Sequence, residues 1–367
     1  MEVKQILIRA TARVVAELGL DQGANLFLER FIYRDCQPAI SRGGPGRFSR
    51  HRRFQVLMFH KISSDAHPFF APLDPLQFER QLLFLKRCFQ VMDLEELVEH
   101  CRRNDLPERA VAITLDDGYR DNYTQAFPLL RKHALPATLF VTTGSVGNSR
   151  VLWHDRVFDA FRYTKAQHCQ FKRMGNTHFL LDSVAAKREC VDATISFAKS
   201  LPGPARLAFV EEIEDALQPD LVDGRTPMLS WTEIKEMRAG GIRIGSHTRT
   251  HPILSRIDAV QLRDEIFESK SELESQLRER VTGFAYPNGR LGDYGVDAVN
   301  LLGRAGYRYA VTTQAGFNTV DANPFELKRG QPWQTDMELF RFAFFLQRHG
   351  LQRPSPRAAG ESMKVIS

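Results

Sequence analysis

Cysteine is sparse in this chain, and what there is lies apart. Five cysteines (Cys36, Cys88, Cys101, Cys169 and Cys190) are scattered through 367 residues without short paired spacing. That pattern argues against a cysteine-ligated zinc site and against a disulfide framework, and predicts a reducing compartment. Long apolar runs are missing too. No stretch approaches the roughly 18 apolar residues of a membrane span. The opening "MEVKQILIRATARVVAELGL" is interrupted by charges and lacks the cleavage pattern of a secretory signal. A cytoplasmic protein is the expectation. No nucleic-acid-binding motif accompanies the net charge of +6, part of which sits in "SRGGPGRFSRHRRF". The excess favours acidic partners only weakly, and nucleic acid is not expected among them.

The rest is ordinary for a globular protein, with 43% hydrophobic and 26% charged residues. Residues 1 to about 32 carry apolar positions at helical spacing, and a Gly-, Arg- and Ser-rich linker follows to residue 53. That helix is expected to pack on the main domain, with peripheral membrane contact as the alternative. From residue 54, short apolar strands ("FQVLMF", "AVAITL", "ATLFVTT", "IRIGS", "TGFAY", "RYAVTT") alternate with helical stretches to about residue 335. Alternation of this kind predicts an α/β fold with a parallel sheet, doubly wound or closed into a barrel. Between about 150 and 228 the rhythm breaks into a hairpin around Gly175-Asn176 and two helices, which reads as a mostly helical insertion. Residues 336–367 read as a helix, whose "LFRFAFFL" seals the domain, and a disordered tail.

Polar residues gather where strands stop. His60 follows "LMF", Asp116-Asp117 follow "AITL", His247 follows "IRIGS", and Pro287-Asn288-Gly289 follow "GFAY". Strand C-termini of parallel α/β folds open on one face, so residues distant in sequence converge there. In "SHTRTHP", His247 and His251 are four apart, which brings the two imidazoles together if the segment makes a helical turn. Two histidines and a carboxylate suit zinc and related divalent ions. Beside such an ion one aspartate can ligate while its neighbour takes a proton from water. Alone, Asp-Asp-Gly is ordinary turn chemistry.

"TLDDGY", "SHTRTHP" and "FAYPNG", in this order and at strand ends, resemble the polysaccharide deacetylase family, also called carbohydrate esterase family 4 or the NodB-homology domain. The likeness spans about residues 54–330, and "VLMFHKI" resembles its poly-N-acetylglucosamine deacetylase branch. It implies a distorted (β/α) barrel that removes acetyl groups from N-acetylated sugars of a polysaccharide, oligosaccharide or lipid-linked glycan. It implies Asp116 as general base and Asp117, His247 and His251 as ligands of a divalent metal. Zinc is the first expectation, with nickel, cobalt and iron as alternatives. The backbone N–H of Asn288 would steady the oxyanion. Met58-Phe59-His60 matches an early Met-Tyr-His motif and implies His60 as the acid for the leaving amine. Relatives with an Arg-Pro-Pro-Tyr third motif orient the base with its arginine; here Ala285-Tyr286-Pro287-Asn288 stands instead, leaving Arg329 or Arg290 to supply the guanidinium. Tyr286, Pro287, Arg329, Trp153 and Asp155 are the expected substrate-binding residues, with Trp153 stacking on a sugar ring and His154 or Asp155 bonding its hydroxyls. The rival readings are a carbohydrate-binding pseudoenzyme on the same barrel and a metal-dependent amidase for a non-sugar substrate.

Overall fold

Strand β1 (Arg53–Phe59) runs parallel to β3 (Ala110–Leu115), and both are nearly all buried. Branched and aromatic residues filling both faces are what a parallel sheet covered on both sides requires. A computed structural model describes residues 53–147, 151–220 and 227–344, apart from 333, 335, 338 and 342. The expected N-terminal helix with its membrane contact, and the tail beyond 344, lie outside the described residues. None of the described helices is long and apolar enough to cross a membrane.

The sheet continues in parallel through β4 (Thr138–Val141), β7 (Arg243–Ser246), β8 (Gly283–Ala285) and β9 (Tyr309–Val311). Short β2 (Gln90–Val91) joins β3, and β10 (Asn318–Thr319) lies antiparallel to β1. Residues 327–330 close the gap between β9 and β1. Leu327 N–H donates to Ala310 and Thr312 N–H to Leu327, while Gly330 N–H donates to Val56 and Met58 N–H to Gly330, all at 2.7–3.0 Å. A distorted (β/α) barrel results.

Side chains alternate across each strand. Phe54, Val56, Ala110, Ala112, Phe140, Ala285, Tyr309 and Val311 form an inner cluster, plugged from below by Leu94, Leu97 and Val98 of α2 (Leu94–Arg103). Leu57, Phe59, Val111, Ile113, Leu115, Leu139 and Val141 face outward against the helices. These are α1 (Pro75–Cys88), α3 (Phe127–His133), α7 (Trp231–Ala239), α8 (Ala259–Leu277) and α9 (Val296–Arg304). Glycine makes the crowded interior feasible, since a Cβ on Gly245 would lie 2.5 Å from the Phe140 ring and one on Gly283 2.4 Å from the Tyr309 hydroxyl.

The insertion has its own core. Trp153, Phe161, Phe171, Cys190, Phe209 and Ile213 pack together. They come from α4 (Trp153–Tyr163), the hairpin β5 (His168–Phe171) and β6 (Thr177–Leu180), α5 (Val184–Ser200) and α6 (Gly203–Leu217). The hairpin turns through Gly175 and Asn176, at φ 70° and 59°. Phe340 and Phe344 of "LFRFAFFL" are buried against Phe84 and Phe89. Cys101, Cys169 and Cys190 are free thiols. Cys88 is disulfide-bonded, a departure from the reduced pattern expected of dispersed cysteines.

Candidate active site

The alternation that fills the barrel also aims the site. Phe54 and Val56 point inward, and counting on by twos reaches His60; Ala110 and Ala112 lead likewise to Asp116. Past the strand ends the backbone turns sharply, with Asp117, Thr248, His251 and Asn288 all at positive φ (76°, 66°, 58° and 60°). Left-handed backbone at non-glycine residues costs energy and clusters where a site over-determines it.

Asp117, His247 and His251 converge, their candidate ligand atoms all within 4.8 Å of one another and all three side chains buried. Asp117 Oδ1 lies 3.3 Å from Nε2 of each histidine. Two donors about 2.1 Å from one tetrahedral ion stand roughly 3.4 Å apart, so the trio has the spacing of a metal site. Asp117 Oδ1 is buried without a hydrogen-bond partner, as an atom reserved for a cation would be. His247 Nδ1 meets the Ala285 carbonyl at 2.7 Å, which leaves Nε2 directed at the carboxylate. Burial pushes the Asp117 carboxyl up, but the two imidazoles outweigh it and hold it well below the usual range. These donors fit a divalent ion.

The two histidines do not meet through the expected helical turn. The segment is an irregular loop, in which Thr248 Oγ1 accepts from His251 N–H at 3.0 Å and donates to the His247 carbonyl at 2.5 Å. Glu265, on α8, accepts from Arg249 N–H at 2.7 Å, from Thr250 N–H at 2.8 Å, and from the Thr250 hydroxyl.

Asp116 is held by Arg329. The guanidinium donates from Nη1 to Oδ1 at 2.8 Å and from Nη2 to Oδ2 at 2.7 Å, with Arg329 fully buried. Burial would raise the Asp116 carboxyl, but Arg329 and His247 together bring it below its ordinary value. Arg329 thus places a guanidinium on Asp116, which the third motif does not supply, and its expected contact with substrate is corrected, since its side chain is fully buried against Asp116. Arg290 is exposed, and its N–H is taken by Asp293. His60, next after β1, lies within electrostatic reach of Asp116, Asp117 and His251, and its ring stands edge-on to Phe70 at 6.2 Å.

Four further expectations need correction. Trp153 is 5% exposed and packs inside the insertion with the Arg206 guanidinium 5.2 Å over its ring, leaving no face for a sugar. Asp155 is fully buried and ion-paired to Lys61 at 3.1 Å. Tyr286 is fully buried, stacked on Tyr294 at 4.1 Å, with its hydroxyl on the Phe325 carbonyl. Pro287 is buried beside it. Trp153, Asp155 and Tyr286 are each held by residues from elsewhere in the chain, Arg206, Lys61 and Tyr294 respectively. Asn288 stays partly exposed, its Nδ2 buried without a partner and its carbonyl accepting from the Thr313 hydroxyl.

Sequence reasoning missed Glu265, Lys61 and Tyr119. Glu265 sits in a helix whose charge pattern reads as solvated, and no local signal marks it. Lys61, directly after the strand-end His60, was available. Asp121 was missed as well, its carboxyl pushed up to about 7 by burial, against the opposing pull of the Ile62 amide and Lys61. With its folded pKa raised, the folded chain retains a proton that the unfolded chain releases, so stability falls as pH rises from about 4 to 7. Asp121→Asn should flatten that slope and add on the order of 1–2 kcal/mol at pH 8. This is less than the ~4 kcal/mol of a full three-unit shift, because the side chain keeps some exposure to solvent. Urea unfolding at pH 5 and pH 8 checks it.

Residues 103–310 match the polysaccharide deacetylase family, and the chain belongs to it. It is accordingly a hydrolase of the carbohydrate esterase type. It is 23% identical over 279 residues to the putative polysaccharide deacetylase YxkH of Bacillus subtilis, covering 76% of this chain and 70% of that one. A 72-residue stretch, 19% of this chain and 25% of the relative, is 38% identical to the poly-β-1,6-N-acetyl-D-glucosamine N-deacetylase of Staphylococcus aureus. In fold, the chain resembles the Streptococcus pyogenes deacetylase PplD in complex with acetate (TM-score 0.54, 21% identity, 81% of this chain and 99% of that one). It also resembles IcaB from Ammonifex degensii (TM-score 0.52, 19% identity, 81% and 97%).

Proposed function

We propose that the chain is a metal-dependent N-deacetylase acting on an N-acetylglucosamine-type polysaccharide and releasing acetate and a free amine. The observation that carries this reading is the buried, unpartnered Asp117 Oδ1 facing His247 and His251, beside a separately clamped Asp116. A divalent ion held by Asp117, His247 and His251, with zinc the best match to the donor set, would acidify water and polarise the acetyl carbonyl. Asp116, kept ionised by Arg329, takes the proton of the attacking water. Asn288 N–H donates to the oxygen that gains charge. His60 delivers a proton to the departing amine nitrogen, so the C–N bond breaks to a neutral amine rather than an amide anion. The poly-N-acetylglucosamine class is supported by the partial likeness to the staphylococcal deacetylase. A guanidinium on Asp116, supplied by Arg329 in place of a third-motif arginine, supports an enzyme over a carbohydrate-binding pseudoenzyme.

Acetate release from β-1,6-linked N-acetylglucosamine oligomers should be detectable with zinc and abolished by a chelator. Asp116→Asn should lower kcat by roughly 10²–10⁴-fold without loss of zinc binding. Zinc-loaded protein that binds the oligomers yet releases no acetate would restore the pseudoenzyme.

A further inference from the structure

Helix α4 of the insertion meets the segment after β1 along one face. Asp155 and Asp159 are four residues apart and so share that face. Lys61 Nζ reaches Asp155 Oδ1 at 3.1 Å and His67 Nε2 lies 3.8 Å from Asp159 Oδ1, with all four side chains at most 8% exposed. His67 Nδ1 accepts from the Phe69 and Phe70 amides at 3.2 and 3.1 Å, so the ring nitrogen facing Asp159 carries the hydrogen. Beside these two contacts, Phe158 stacks on Phe70 at 5.7 Å with 6° between the rings. Lys61 Nζ also stands over Tyr119 (4.5 Å) and Phe70 (5.0 Å).

Both ends of this contact belong to the site. The segment begins at His60, and its Lys61 is fastened to α4. The residue before Asp155 is His154, whose ring centroid lies 5.1 Å from that of His251 and whose Nε2 is 3.2 Å from the Tyr119 hydroxyl. A buried ion pair is poor glue, because desolvating two charges offsets most of their attraction. What it supplies is fixed geometry.

We propose that Asp155 is a positioning residue of the active site, which fixes the His60 segment through Lys61 and sets the insertion helix against the metal-binding loop through its neighbour His154. The insertion is then a working wall of the site. The kinetic part of this inference rests on the deacetylase reading; the structural part does not.

The test uses the full zinc-loaded chain. Asp155→Asn and Lys61→Met should each lower kcat by about tenfold or more, the scale of a small misplacement at the reacting groups. Zinc affinity should stay unchanged, and amides of residues 60–70 should exchange hydrogen faster. Lys61→Arg keeps the cation, the ion pair and the aromatic contacts, and should hold kcat within about threefold. The double variant Lys61→Met/Asp155→Leu leaves no orphaned charge and should regain thermal stability while kcat stays low. It decides the matter if the single variants do not fold. Activity returning with stability in the double variant would overturn the inference, as would single variants with wild-type kcat and wild-type exchange. If the wild type releases no acetate from any N-acetylated sugar, the deacetylase reading fails, and exchange in 60–70 alone decides the positioning role.

Discussion

Replacing Arg329 with methionine is expected to lower kcat at neutral pH by roughly 10²–10⁴-fold, the range a positioned base contributes. The acidic limb of the pH–rate profile should move upward at the same time. Arg329 donates to both oxygens of Asp116, to Thr114 Oγ1 at 3.1 Å and to the Thr312 carbonyl at 2.7 Å. Without it, burial dominates the Asp116 carboxyl and raises it, so the base is protonated where the wild type is ionised. Stability should fall by about 3–5 kcal/mol, because one partner of a fully buried pair is left alone. The pH dependence of stability should also change sign. In the wild type the depressed carboxyl contributes stability above its unfolded pKa that is lost as pH falls through the folded value. In the variant the raised carboxyl makes stability fall as pH rises. Arg329→Lys keeps a charge but loses the two-pronged contact, and should lie between wild type and methionine. Adding Asp116→Ala to Arg329→Met should restore stability and leave activity absent. An unshifted acidic limb in Arg329→Met would mean that Asp116 is not the group titrating in catalysis.

Legibility of the sequence followed locality. The strands and helices from residue 54 onward were readable because period-two and period-3.6 patterns are local, and the strand ends placed His60, Asp116 and His247 on one face. "DDG" and "HTRTH" pointed to Asp117, His247 and His251 because each motif is itself short and local. The guanidinium for Asp116 was only half legible. Arg329 lies 213 residues from its partner, in a segment whose barrel-closing role follows from hydrogen bonds to β9 and β1 rather than from any pattern of its own. Trp153 and Asp155 show the converse. Residue type suggested sugar contact, but Arg206 and Lys61, from elements distant in sequence, had already claimed them.

Glu265→Ala is expected to weaken zinc binding by about 10–100-fold, the usual cost of losing a group that orients metal ligands. The His247–His251 loop has no regular structure to hold it, and Thr248 and His251 both stand at positive φ. One carboxylate on α8 gathers the Arg249 and Thr250 amides and the Thr250 hydroxyl, all lying between the two histidines. Alanine would strand donors in a partly buried loop, each costing about 1–3 kcal/mol, and the loop would open to reach water. His251 should suffer more than His247, which is fixed independently by the Ala285 carbonyl. Glu265→Gln keeps one acceptor oxygen but offers an NH₂ where a second acceptor is needed, so it should fall between wild type and alanine. Zinc titration separates this from a general loss of fold, because a merely destabilised protein saturated with zinc below its melting temperature binds with wild-type affinity. Wild-type zinc affinity in Glu265→Ala would place the order of the loop in its own Thr248 turn, and leave Glu265 as no more than a contact between α8 and the loop.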